Sequence, residues 1–89
     1  MTEKQFKDTL YNSLILGGMT LEDFKAAKKM QEVLDDVLSK KEASVLLTVT
    51  FSGYDKYILE EDDNVTEEEA REIYDAAVKK IRDAVGVES

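Results

Sequence analysis

A change of hydrophobic period near residue 43 constrains the fold of this chain more than any other feature. Before it, Leu21, Phe24, Ala27, Met30, Leu34, Val37 and Leu38 recur at steps of three and four, the single apolar stripe of a helix. After it, Ala43, Val45, Leu47, Val49 and Phe51 alternate with Ser44, Leu46, Thr48, Thr50 and Ser52. Alternation places successive side chains on opposite faces, so residues 43–52 are predicted as a half-buried β-strand. Gly53 marks a turn, and Lys56 to Glu61 is predicted as a shorter return strand. An isolated two-stranded hairpin is marginal in water, so either the helices cover it or a second copy of the chain extends the sheet.

The flanking segments carry their own punctuation. Residues 2–16 read as a helix on the stripe Phe6, Leu10 and Leu14, ended by Gly17-Gly18. Thr20 opens the next helix by capping the amide of residue 23, and Ser39-Lys40-Lys41 closes it with cations at the negative helix end. Asp62-Asp63-Asn64 forms a loop. Thr66 and Glu69 then make a capping box for a last helix that buries Ala70, Ile73, Ala77, Ile81 and Val85 and stops at Gly86. The expected fold is α+β, a single domain over residues 1–89 in the order α-α-β-β-α, its antiparallel hairpin packed on the helices.

The charge is concentrated. Residues 59–75, LEEDDNVTEEEAREIYD, hold nine carboxylates and one arginine, a balance of −8. The other 72 residues hold eleven acids and eleven bases, so the whole net charge of −8 lies in this stretch. Such a balance disfavours direct contact with nucleic acid or anionic lipid, which need a basic patch. It favours and accelerates encounter with a basic protein. The chain has no cysteine and no histidine, which removes thiolate zinc sites, the commonest metal ligand and the commonest general base. No apolar run reaches the ~20 residues of a membrane span, and the first ten residues lack the apolar core of a signal peptide, so a soluble cytoplasmic protein is expected.

Within the predicted elements Glu60 and Glu61 end a strand and point to opposite faces, and Asp62 and Asp63 lie on the loop. Glu67, Glu68 and Glu69 fill the first helical turn, and Glu72 and Asp75 continue along its exposed side. Acids in a first helical turn are stabilised by the helix dipole, which accounts for Glu67 to Glu69 but not for the run before them. Glu68 and Glu72 stand one turn apart, about 5–6 Å, a pitch comparable with phosphates along a nucleic-acid strand. The chain is therefore expected to display carboxylates where a DNA-binding protein awaits phosphates. Glu60, Glu61, Asp62, Asp63, Glu67, Glu68, Glu72 and Asp75 are the phosphate substitutes, with Tyr54 and Tyr57 beside them as contact residues. Tyr74 reads as an edge-of-core residue.

The cluster from Glu60 to Asp75, in a short chain without cysteine, histidine or proline, resembles the small acidic proteins that phages use against host factors. These include DNA-mimic inhibitors of nucleoid proteins such as HU, and some anti-CRISPR proteins. The resemblance is one of composition over about a fifth of the chain. It implies a homodimer with acids arrayed along a face, bound to a basic DNA-binding protein and blocking its DNA site. The neutral first half of this chain departs from the most acidic mimics.

Other chemistries fit less well. Asp62, Asp63, Asn64, Glu67 and Glu69 offer oxygen ligands, but an EF-hand loop counted from Asp62 needs glycine where Glu67 stands and glutamate where Ile73 stands. No phosphate loop or nucleophile elbow is present, and no histidine can activate Ser44 or Ser52. No enzyme activity, metal or cofactor is expected. A different class of function remains open: an adaptor or antitoxin-like protein that binds through the apolar surface of the second helix, with affinity that persists in salt.

Overall fold

The computed structural model describes residues 1–87. Among them every regular element is a helix and there is no strand: α1 Glu3–Ile15, α2 Leu21–Val37, α3 Lys40–Ser52, α4 Lys56–Ile58 continuing into a π-helical turn Leu59–Asp63, and α5 Glu67–Val85. None of these helices is long and apolar enough to cross a membrane. The α+β expectation is thereby corrected. Residues 43–52 lie within α3 and residues 56–61 within α4 and its π turn, so there is no hairpin and no sheet edge for a second copy to extend.

Local chemistry explains the correction. Ser39 does not close α2; it caps α3. Its hydroxyl accepts the Glu42 N–H at 3.2 Å and the Glu42 carboxylate accepts the Ser39 N–H at 2.9 Å, a reciprocal capping box. Within α3 the buried residues are Val45 and Leu46, with Val49 packed against the core, while Leu47 and Phe51 point outward. The inward set is thus i, i+1 and i+4, a helical stripe, and the apparent alternation mixes residues from opposite sides. Thr50, a β-branched residue, fits because its hydroxyl donates to the Leu46 carbonyl one turn back at 2.7 Å. The helix stops at Gly53, whose φ of 65° and ψ of −156° suit a residue without Cβ. Asp55 then starts α4, its carboxylate accepting the N–H groups of Tyr57 and Ile58 at 2.9 and 3.2 Å.

The chain divides into two compact units, Met1–Val37 with the stretch from Ile81, and Leu38–Lys80. In the first, α1 packs along α2 and the side chains of Phe6, Leu10, Ala27, Met30, Leu34 and Ile81 are buried. Thr20 caps α2 through the Asp23 N–H as expected, at 3.2 Å. Leu16, not a glycine, takes the left-handed position that ends α1, with φ of 48°. The apolar stripe of α2 is shorter than the sequence implies: Leu21 is 70% exposed and Phe24 38%. Glu3 and Arg82 form a two-pronged ion pair at 2.5 Å on each arm, and the guanidinium lies 5.0 Å from the centre of the Phe6 ring. Hydrogen bonding to Arg82 holds the Glu3 carboxyl below its ordinary value.

The second unit is built on Val45, Leu59, Val65 and Ala70, with Val49, Tyr54 and Ile73 packed around them. Burying one such large aliphatic side chain contributes about 1.5–3 kcal/mol. Lys80 reaches Glu42 at 2.7 Å. Thr66 accepts the Glu69 N–H at 3.1 Å, the cap expected for α5, while its hydroxyl donates to the Glu69 carboxylate at 3.3 Å in place of the backbone arm of a full capping box; Val65 and Ala70 are buried in the same cluster.

Candidate functional site

The carboxylates lie on two consecutive pieces of the second unit. The first is the π turn. Asn64 adopts the left-handed conformation, φ 54°, and its N–H and that of Val65 both return to the Leu59 carbonyl. Asparagine tolerates this geometry, and the wider ring is how the short helix ends. Leu59 is fully buried and anchors the turn, while Glu60, Glu61 and Asp62 are exposed. Glu60 and Glu61 are therefore neighbours on a helical turn, and the opposite facing expected of a strand does not occur.

Asp63 differs from its neighbours. It is half-buried, and the Ser44 hydroxyl of α3 donates to its Oδ1. Its Oδ2 is buried without a hydrogen-bond partner. Asp63 thus ties the π turn to α3 and is not displayed. No sequence signal pairs Ser44 with Asp63, because the two meet only once residues 43–52 are helical.

The second piece is the start of α5. Ala70 and Ala77 are buried and Ile73 is packed on the core, which fixes the inner face. Glu68, Glu72 and Asp75, at i, i+4 and i+7, occupy the opposite face and are exposed. Among the described residues none of these three forms an ion pair, and neither do Glu61 and Asp62. The pairing of Asp75 with Lys79 that their spacing permits is not formed. Glu60 has Lys56 at 4.0 Å and Glu67 has Arg71 at 3.7 Å, both across one helical turn. Exposed pairs of this kind bind weakly.

The tyrosines separate into two kinds. Tyr54 is half-buried against the core, edge-on to Tyr74 with ring centres 6.4 Å apart, and the Arg71 guanidinium lies 4.0 Å from its ring centre. Burial pushes the Tyr54 phenol above its ordinary value; Arg71 opposes this, and Asp75, Tyr74 and Glu67 add to it. Tyr57 is 74% exposed at the start of the short helix that carries Glu60 to Asp62. The Arg71–Tyr54 stack leaves one trace in the sequence, a lone arginine in an acidic run near tyrosines, and that trace does not specify the contact. Among the described residues no three carboxylates are grouped to hold a metal ion. Comparison with protein-family models, with curated proteins and with solved structures found no match.

Proposed function

We propose that this chain is an acidic decoy that occupies the nucleic-acid-binding surface of a basic protein, such as a nucleoid-associated protein, and blocks its access to DNA. The observation that supports this reading is the outward row Glu68, Glu72 and Asp75, held on a helix whose other face is anchored by Ala70 and Ala77 and left without a paired cation among the described residues. Glu60, Glu61 and Asp62 on the adjoining π turn extend the charge, and exposed Tyr57 adds an amphipathic contact. Asp63 and Glu67 are tied to Ser44 and Arg71 and serve to hold the turn and the helix start in place.

Binding of this kind replaces counterions on the basic partner, so it weakens steeply between low and moderate salt. The test is the triple variant Glu68→Lys, Glu72→Lys and Asp75→Lys, measured for capture of DNA-binding proteins from host lysate and for thermal unfolding. Capture lost with the fold intact supports the decoy. Capture unchanged rules it out.

The exposure of Leu21 and Phe24 on α2 favours a second reading, an adaptor that binds through an apolar helix face. That binding would persist at high salt and would be lost in Leu21→Asp but not in the triple lysine variant.

A further inference from the structure

Helices α1 and α2 leave an open cleft along one side of the first unit. It has two chambers, of about 550 Å³ and about 170 Å³, and Met1, Thr9 and Ala26 line both. Thr9 and Ala26 carry small side chains on neighbouring helices, so neither fills the gap between them. Ala26 is exposed although the next residue, Ala27, is fully buried. Met1 is held at the cleft by its ammonium group, which donates to the Gly86 carbonyl at 3.2 Å.

The two chambers differ in chemistry. Met30, Val33 and Val85 border the smaller one. Water finds few polar partners against such walls, and an apolar cavity of ~150 Å³ is large enough to take up a guest the size of benzene. Asp8 of α1 and Glu22 and Asp23 of α2 border the larger chamber. All three acids are exposed, and among the described residues none of them forms an ion pair. The helix dipole accounts for Glu22 and Asp23 in the first turn of α2, but not for Asp8 in the middle of α1.

We propose that this cleft binds a small amphipathic cation, a primary amine on an apolar group of about six carbons, with its ammonium among Asp8, Glu22 and Asp23 and its hydrocarbon against Met30, Val33 and Val85. Removal of the hydrocarbon from water drives the binding, and the carboxylates select the sign of the head group. Lys29 borders the apolar chamber, so an amine charged at both ends would bring its second ammonium toward a like charge. The larger chamber falls within the roughly 300–1,000 Å³ of small-molecule sites. The proposal is independent of the decoy reading: the lining residues all belong to the first unit, and the carboxylates of the decoy belong to the second.

Hexylamine is the probe. Titrated into isotope-labelled protein, it is expected to move the amide resonances of Thr9, Ala26 and Val33 and to saturate in the millimolar range, the strength open to so small a molecule. Hexanol, which has the chain without the charge, is expected to bind about five- to tenfold more weakly, and hexanoate and the diamine of the same length more weakly still. Glu22→Gln combined with Asp23→Asn is expected to bring hexylamine down toward hexanol and to leave hexanol unchanged. Ala26→Leu, at an exposed position, is expected to fill the cleft and abolish binding of both while circular dichroism stays unchanged. The triple lysine variant of α5 is expected to bind hexylamine as wild type does. The absence of saturable shifts overturns the proposal. So does hexanol or hexanoate binding as tightly as hexylamine, and so do hexylamine shifts that persist in Ala26→Leu or centre on Glu68, Glu72 and Asp75.

Discussion

Arg71 rests its guanidinium 4.0 Å from the centre of the Tyr54 ring. It is the only base between residues 59 and 75, and it is spent on that ring and on Glu67, leaving the outward acids of α5 unneutralised. One contact thus contributes to both stability and the sign of the surface. The cation–π contact is worth about 0.5–1 kcal/mol at a partly exposed site, and the accompanying ion pair adds little.

Arg71→Met is therefore expected to lower stability by about 1 kcal/mol, or roughly 4–8 °C in melting temperature for a domain of this size. It also makes the stretch more negative, so capture of a basic partner at low salt should be kept or strengthened. Capture abolished in a variant that still melts cooperatively would place Arg71 among the contact residues and weaken the decoy reading.

The sequence foretold α1, α2 and α5, where an apolar stripe at helical spacing agrees with a cap: Thr20 before α2, Thr66 and Glu69 at α5. It failed between residues 43 and 61 because two signals disagreed there. Val45, Val49, Thr48 and Thr50 favour a strand, and alternation reinforced them. Against them stood the pattern Ser39-Lys40-Lys41-Glu42, a capping signature, and Asp55 three residues before Ile58, a helix start. Short polar caps decided the outcome, and tertiary burial of Val45 and Leu59 overrode β propensity. The acidic site was legible as a location. Its division into displayed and committed carboxylates was not, since Asp63 finds Ser44 only in the folded chain.

That capping signature has a measurable weight. Ser39→Ala removes the acceptor for the Glu42 N–H and is expected to cost about 1 kcal/mol, whereas Ser39→Asp should cost much less. Urea unfolding followed by circular dichroism decides the matter. Equal stability of Ser39→Ala and wild type would mean that α3 is held by packing alone.

Glu42 makes stability sensitive to acid. Hydrogen bonds from Lys80 first, and from the Ser39 backbone second, hold its carboxyl below the ordinary value of 4.5. A lowered carboxyl binds fewer protons folded than unfolded, so its contribution is complete above pH 4.5 and is lost as pH falls through the lowered value. Glu3, lowered by Arg82, acts with the same sign. Glu42→Gln keeps an oxygen for the Ser39 N–H and removes the charge together with the second oxygen that accepts from Lys80. Its melting temperature is expected to fall less steeply than that of wild type between pH 5 and pH 3. Parallel curves for the two proteins would show that Lys80 does not matter to acid stability.

The β-like composition of α3 should reappear once its surroundings are taken away. A helix of 13 residues is marginal in water even with good formers, and this one is rich in β-branched residues. Val45 and Leu46 lose their burial when the segment is excised, and the window from Ala43 to Ser52 is uncharged, interleaves apolar residues with serine and threonine, and is free of proline and glycine, a composition that favours stacked strands. A synthetic peptide of residues 39–53 is expected to show no helical minimum at 222 nm when dilute and to convert on concentration to thioflavin-binding β aggregates. The same peptide with Val45→Ala and Val49→Ala should convert far more slowly. A dilute peptide that is helical on its own would mean that local preference, and not the core of the second unit, sets the helix in α3.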